Sequence, residues 1–299
     1  MAMFKSEELL FKVLTGLKFV LILVIFSSVI VLLNLYILNI NLIYLQSLKQ
    51  TFAIENPDVF YEYIYSPVIA KLPLMLGLLS LIFIGGVYLA HIMMRPFKKI
   101  VALCEARMEG KEIGLKKELI TDLKLLNQFA FFFFEEIDKL KKTNQLKVKI
   151  PEIFTKIHEP KIDLNFFINY LFVIIILALL GYLGMNFLQH ETTEQLIIFS
   201  NKVIKTNPDV KYFFDAQIEL SQKLIQFIMI FYIILMFLFG LHLFQKISSP
   251  AFAIFATLRS FLKGNYYNRV HLIGFYYLRN DCRKINKFLD YVHKTYQLK

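Results

Sequence analysis

Four long apolar stretches, nearly free of charged residues, most constrain how this chain of 299 residues can fold. A helix needs about 20 residues to cross a hydrocarbon core about 30 Å thick, and each stretch is at least that long. The chain as a whole is 57% hydrophobic with a mean hydropathy of +0.54, above an ordinary soluble domain. We therefore expect an all-α, polytopic membrane protein with four transmembrane helices. They run from Phe19 to Gln46, Leu72 to Met94, Leu164 to Gln189 and Leu224 to Gln245.

Basic residues indicate how these helices are oriented. Between residues 95 and 163 there are 15 Lys and Arg, and 10 follow Gln245, against two and four in the intervening loops. Because basic loops stay in the cytoplasm, we expect a bacterial inner-membrane protein with both termini inside. The first apolar run is too long for a secretory signal and no small-residue cleavage site follows closely, which indicates an uncleaved anchor. The net charge of +11 is then explained by basic cytoplasmic segments that set the topology and face the lipid surface. Nucleic-acid binding is therefore not expected.

A short motif in the first outer loop recurs in the second, which indicates an internal duplication. Each copy is typical of a helix start, with Asn as the cap, Pro at the first helical position and Asp near the positive end of the helix dipole. We interpret both copies as outer helix caps. They are Asn56, Pro57, Asp58 and Val59, and Asn207, Pro208, Asp209 and Val210.

The duplication continues beyond the second and fourth spans. Pro96 and Pro250 stand where those spans leave the membrane, and glycine follows each after fourteen residues, at Gly110 and Gly264. Apolar positions between them keep a helical period. Proline at the start and glycine at the end predict that each segment is a separate amphipathic helix.

A second amphipathic helix is predicted in each copy, over about residues 121–142 and 280–296. Each has an aspartate near its start and apolar residues at heptad-like spacing, which suits packing against partner helices. The second connector, from Asn265 to Asn280, is longer than the first and rich in tyrosine. The residues that define the two copies are Pro96, Ile100, Gly110, Asp122 and Leu126, and Pro250, Ile254, Gly264, Asp281, Ile285 and Leu289.

These two segments resemble the HAMP module, which joins a transmembrane helix to effectors in bacterial chemoreceptors and sensor kinases. The resemblance implies a parallel four-helix bundle to which each copy gives two helices. We expect the copies to pair within one chain as a pseudo-two-fold bundle, whereas a homo-oligomer is the alternative. The predicted segments are residues 1–18 (cytoplasmic amino terminus), 19–94 (first transmembrane hairpin), 95–142 (first HAMP-like module), 143–163 (amphipathic linker), 164–246 (second hairpin) and 247–299 (second HAMP-like module).

No attached effector is expected, because only about 20 residues follow the first copy before the next span. The chain offers no grouping of nucleophile, base and orienting residue, no phosphate loop and no metal-ligand spacing, so we expect no catalytic, metal or cofactor site and no enzyme. Cys104 and Cys282 are expected to be buried thiols without a disulfide. The expected partners are membrane lipids and a separate membrane or cytoplasmic signalling protein.

Two alternatives to a signal relay or scaffold remain open. A small-solute or ion transporter or channel component usually has ionisable groups within the membrane, and these spans have none apart from histidines at their borders. Asn34, Asn39 and Asn41 and the glycines at 85, 86, 181 and 184 are more simply explained by helix packing. The other alternative is a purely structural anchor. The linker is expected to lie along the membrane surface, and the phenylalanine-rich run from Phe129 to Phe134 to be partly buried.

Overall fold

The computed structural model describes residues 2–47, 57–111, 123–143, 148–160, 163–203 and 208–297, and these ranges contain helices and no strand. The all-α prediction is therefore confirmed. In chain order the helices are α1 (Ala2–Ser47), α2 (Pro57–Ala70), α3 (Leu72–Met108), α4 (Lys124–Thr143), α5 (Glu152–Thr155), α6 (Leu164–Val203), α7 (Pro208–Leu262) and α8 (Arg279–Thr295), with a 3-10 turn at Tyr276–Leu278.

Helices α1, α3, α6 and α7 are each long and apolar enough to cross a membrane. They contain the four predicted spans, and many of their large apolar side chains are exposed, as expected of helices surrounded by lipid. The chain is thus a multi-pass membrane protein.

The second and fourth spans continue without a break into the segments that follow them. Pro96 lies inside α3 and Pro250 inside α7, so the prediction that these prolines start separate helices was wrong. Proline removes one backbone hydrogen bond and disfavours a helix interior. Here both prolines are buried next to buried neighbours, Phe97 and Ala251, and both helices continue past them.

The glycines end these helices as predicted. Gly110 has φ +72° and Gly264 has φ +100°, a backbone conformation that glycine adopts without a steric penalty. In both copies the next residue closes a Schellman motif: the N–H of Lys111 donates to Ala106 at 2.9 Å, and that of Asn265 donates to the carbonyl of Ser260 at 3.1 Å. The two copies therefore share the same backbone hydrogen bond at the same distance from proline.

Two compact units make up the chain, and each draws on both sequence halves. We call Met1–Thr15, Val87–Val173 and Phe239–Lys299 the bundle unit, and Gly16–Gly86 and Ile174–Leu238 the span unit. The bundle unit contains both predicted HAMP-like modules together with the amino-terminal segment and the linker.

Close helix packing at glycine characterises the span unit, as expected. A Cβ at Gly86 would stand 2.8 Å from the Cα of Gly16, and one at Gly181 would stand 2.0 Å from the hydroxyl of Tyr232. The asparagines of α1 contribute to packing as well. Asn34 donates to the side-chain oxygen of Gln189 at 3.0 Å. Asn39 accepts a hydrogen bond from Tyr61 at 2.6 Å, and Asn41 is buried.

The outer segments belong to the span unit and share a small core. Pro57 and Pro208 are the first residues of α2 and α7, and Asp58 lies in the first turn of α2, as the cap interpretation requires. Asn56, Asn207 and the side chain of Asp209 lie outside the described residues. The core is made of Leu38, Leu42, Leu45, Ile64, Leu196, Phe199, Val210 and Phe214.

Candidate functional site

The bundle unit brings the defining residues of both predicted modules together. Its relay helices are the end of α3 from Pro96, the end of α7 from Pro250, and helices α4 and α8. Every described apolar residue of the HAMP-like pattern is buried, with an exposed fraction of 2% or less. These residues are Ile100, Leu126, Ile254, Ile285 and Leu289.

Aromatic side chains join the first copy to the second. Phe129 of α4 meets Phe255 of α7 edge to face, with ring centroids 4.7 Å apart. One helical turn later, Phe133 approaches both Phe261 of α7 at 6.3 Å and Phe288 of α8 at 6.4 Å. Because α4 belongs to the first copy and α7 and α8 to the second, the two copies share one core within a single chain. Most of the phenylalanine run is thus buried, as expected.

Two ion pairs frame this core. Lys284 of α8 contacts Glu105 of α3 at 2.9 Å, which links the second copy to the first. Arg107 of α3 contacts Asp138 of α4 at 2.8 Å within the first copy. Both pairs are partly shielded from water, so they position the helices more firmly than fully exposed pairs would.

Asp281 places a carboxyl group inside the bundle. It lies in the first turn of α8 and is 8% exposed. Burial raises the pKa of Asp281 to about 6, Glu8 and Glu105 also raise it, and Lys98 and Lys284 lower it. The sequence placed this residue at the helix start but did not predict its burial. Asp122, the corresponding residue of the first copy, lies outside the described residues.

The amino-terminal segment is helical and forms part of the bundle unit. Phe11 of α1 stacks on Tyr277 with ring centroids 3.9 Å apart, and Glu7 contacts Arg279 at 3.1 Å. Glu8 also forms an ion pair with Lys98 of α3. These contacts of residues 1–15 with the bundle were not predicted, because charge and helix pattern do not reveal which helix a segment packs against.

The described part of the linker packs against the bundle, and its expected position along the membrane surface stays a prediction. Phe154 of α5 and Ile157 are buried, and the ring of Phe154 stands 5.1 Å from that of Phe129. Arg259 of α7 holds this segment by donating to the carbonyls of Phe154 at 2.8 Å and Ile157 at 2.7 Å. Phe154 and Ile157 thus have protein partners, whereas Ile153 in the same segment is 70% exposed.

Asp163 has a structural role that was not predicted from the sequence. Its carboxylate accepts a hydrogen bond from the backbone N–H of Lys124, the first residue of α4, and another from that of Phe166 at 3.4 Å. One aspartate thus caps the starts of both α4 and α6, where unpaired N–H groups favour an anion. The signal in the sequence was an aspartate directly before an apolar run.

The described residues of the bundle unit contribute mainly packing. Cys104 and Cys282 are buried free thiols, as predicted. Within the ranges that the structure describes, no group of three or more His, Cys, Asp or Glu side chains could hold a metal ion.

Comparisons with protein-family models, curated proteins and solved structures find no match to this chain. The resemblance to the HAMP module therefore rests on the residues themselves, and it enters below as part of a proposal.

Proposed function

We propose that this chain is a non-enzymatic protein of the bacterial inner membrane that relays or scaffolds a signal. In this proposal both termini and residues 95–163 are cytoplasmic, which the distribution of Lys and Arg supports. The relay helices act as a HAMP-like bundle, and their output goes to a separate membrane or cytoplasmic protein.

One observation supports the proposal most directly: each of α3 and α7 runs without interruption from its span into a relay helix. A shift or rotation of a continuous helix moves all of its residues together, and packed helices pass such movements to their neighbours. The contacts of Phe133 with both Phe261 and Phe288 give the copies a shared core through which such a movement would pass.

Site-specific photocrosslinking in native membranes tests whether the bundle has a protein partner. Phe131 and Tyr291 lie on α4 and α8 and are 38% and 37% exposed, so a photoreactive phenylalanine fits at either position. The matched control is Ile234 of the span unit, which is 49% exposed. We expect the same protein adduct at both bundle positions and none at Ile234. Adducts with lipid alone at all three positions would contradict the proposal.

Proline substitutions separate a relay from a passive anchor. Pro96→Ala and Pro250→Ala restore a backbone N–H inside α3 and α7 and should straighten and stiffen these helices. We expect both variants to reach the membrane at normal levels and to lose the phenotype that depends on the protein. A purely structural anchor would keep that phenotype in both variants and lose it only when the spans are deleted.

A further inference from the structure

The second connector presents an unusually exposed apolar tip. Ile273 is 94% exposed, although isoleucine is among the most often buried residues. Gly274 follows with φ +84°, which allows a tight turn, and Leu272 and Phe275 on either side are half-buried. Three large apolar side chains therefore surround one turn.

Hydrogen bonds hold the connector in place. The side-chain amide of Asn286 accepts from the backbone N–H of Val270 at 2.8 Å and donates to its carbonyl at 3.0 Å. Arg269 contacts the carboxylate of Asp290 at 2.5 Å and donates to the carbonyl of Tyr266 at 2.6 Å. These bonds fix the part of the connector that precedes the tip, at residues 266–270, against α8.

Contacts along the connector show that it runs back toward the membrane. It begins after α7 ends at Leu262, and Tyr266 lies near His293 at the far end of α8. It finishes at Tyr277, whose hydroxyl donates to the carbonyl of Lys246 at 2.8 Å. Lys246 directly follows the apolar run of the fourth span. Along α7, Lys246 and Leu262 are separated by 16 residues, or about 24 Å of helix.

A bilayer adds about 5–7 Å of headgroup region on each side of its hydrocarbon core. Ile273 lies four residues before Tyr277, which contacts α7 where the apolar run of the fourth span ends, so at most about 14 Å of chain separates the tip from that end of the span. Apolar and aromatic side chains gain free energy when they enter this region from water.

We propose that the tip formed by residues 272–275 inserts into the leaflet from which α7 emerges. The ligand is the lipid bilayer itself, and the tip anchors the start of α8 to the membrane surface. This inference does not rest on the relay function, because a scaffold or an anchor would need the same attachment.

Tryptophan fluorescence tests the proposal cleanly, since the chain has no tryptophan of its own. Ile273→Trp introduces a single reporter at the tip. The matched control is Tyr267→Trp in the same connector, because Tyr267 is 83% exposed and its ring lies 5.0 Å from that of His293 at the far end of α8. Each full-length variant is reconstituted in phosphatidylcholine and phosphatidylglycerol vesicles, with or without lipids brominated near the headgroup.

We expect Ile273→Trp to lose most of its emission in brominated vesicles and Tyr267→Trp to keep most of its emission. Phe275→Trp exchanges one aromatic residue for another, so it serves as a second reporter if the first variant does not fold, and it should behave like Ile273→Trp. Equal quenching at the tip and at 267, or none at the tip, would overturn the proposal. Blue-shifted tip emission without bromine quenching would also overturn it, because protein would then cover the tip.

Discussion

Replacing Asp281 with asparagine should stabilise the protein near neutral pH and leave its stability almost unchanged below about pH 4. The carboxyl is buried in the first turn of α8, where Glu8 and Glu105 disfavour its charge and Lys98 and Lys284 only partly compensate. Asparagine has nearly the same shape and no charge. The variant therefore removes the cost of burying an ionised group with little change in packing.

The magnitude follows from the pKa difference between the two states. Burial raises the pKa of Asp281 from 3.8 to about 6 in the folded protein. Each pKa unit corresponds to about 1.4 kcal/mol, so ionisation costs the folded state about 3 kcal/mol. Below about pH 4 the carboxyl is protonated in both states, so it does not lower the free energy of unfolding. Between about pH 4 and 6 the unfolded state ionises first, and the free energy of unfolding falls as the pH rises. Above about pH 6 the carboxyl is ionised in both states and the loss is complete.

Denaturant unfolding in mixed micelles across this pH range measures the effect. The quantity to plot is the free energy of unfolding of Asp281→Asn minus that of the parent protein, because titrations shared by both proteins then cancel. We expect the difference to rise from near zero below about pH 4 to about 3 kcal/mol at neutral pH. Asp215→Asn, at an exposed position of α7, is the control and should give a small difference without that rise. A flat profile for Asp281→Asn would show that burial does not raise the pKa of this carboxyl in the folded protein.

Two further predictions concern packing, each measured as a change in the free energy of unfolding. Gly181→Ala should destabilise the protein by about 1–3 kcal/mol, because its Cβ would stand 2.0 Å from the hydroxyl of Tyr232. Gly77→Ala meets nothing within 4 Å and should instead stabilise by up to about 1 kcal/mol; equal effects would contradict the close contact. Phe133→Ala should cost about 3–5 kcal/mol, since the side chain is fully buried. Phe131→Ala should cost clearly less, and equal losses would argue against the shared core.

The helical elements were largely predictable because they depend on local pattern. Uncharged apolar runs located the four spanning helices, and glycine located the ends of α3 and α7, since only a residue at ease with positive φ completes their Schellman motifs. The prediction for the two prolines was wrong because it also relied on local pattern. A local rule gives the free-energy cost of proline inside a helix, whereas the burial of Pro96 and Pro250 within continuous helices depends on the residues packed around them.

Contacts between distant segments were not predictable, because no local pattern encodes them. Arg259 holds the linker through two backbone carbonyls, and a surface arginine would look the same in the sequence. The charges around Asp281 arise in the same way, since Glu8 of α1 and Lys98 and Glu105 of α3 act on it from more than 170 positions away in the sequence. The two repeated helical pairs were therefore predictable from the sequence, whereas the buried carboxyl and the ion pairs between the helices were not.

The shared core also bears on how a duplicated relay would work. Phe133 of the first copy packs against Phe261 and Phe288 of the second, so neither copy completes its own core. The ion pair between Glu105 and Lys284 likewise joins one copy to the other. A dimeric module moves identical helices, whereas here each helix has its own sequence and its own partners. In the proposed relay, α3 and α7 can therefore contribute unequally to one bundle, and a partner protein would meet two distinct faces rather than two equivalent ones.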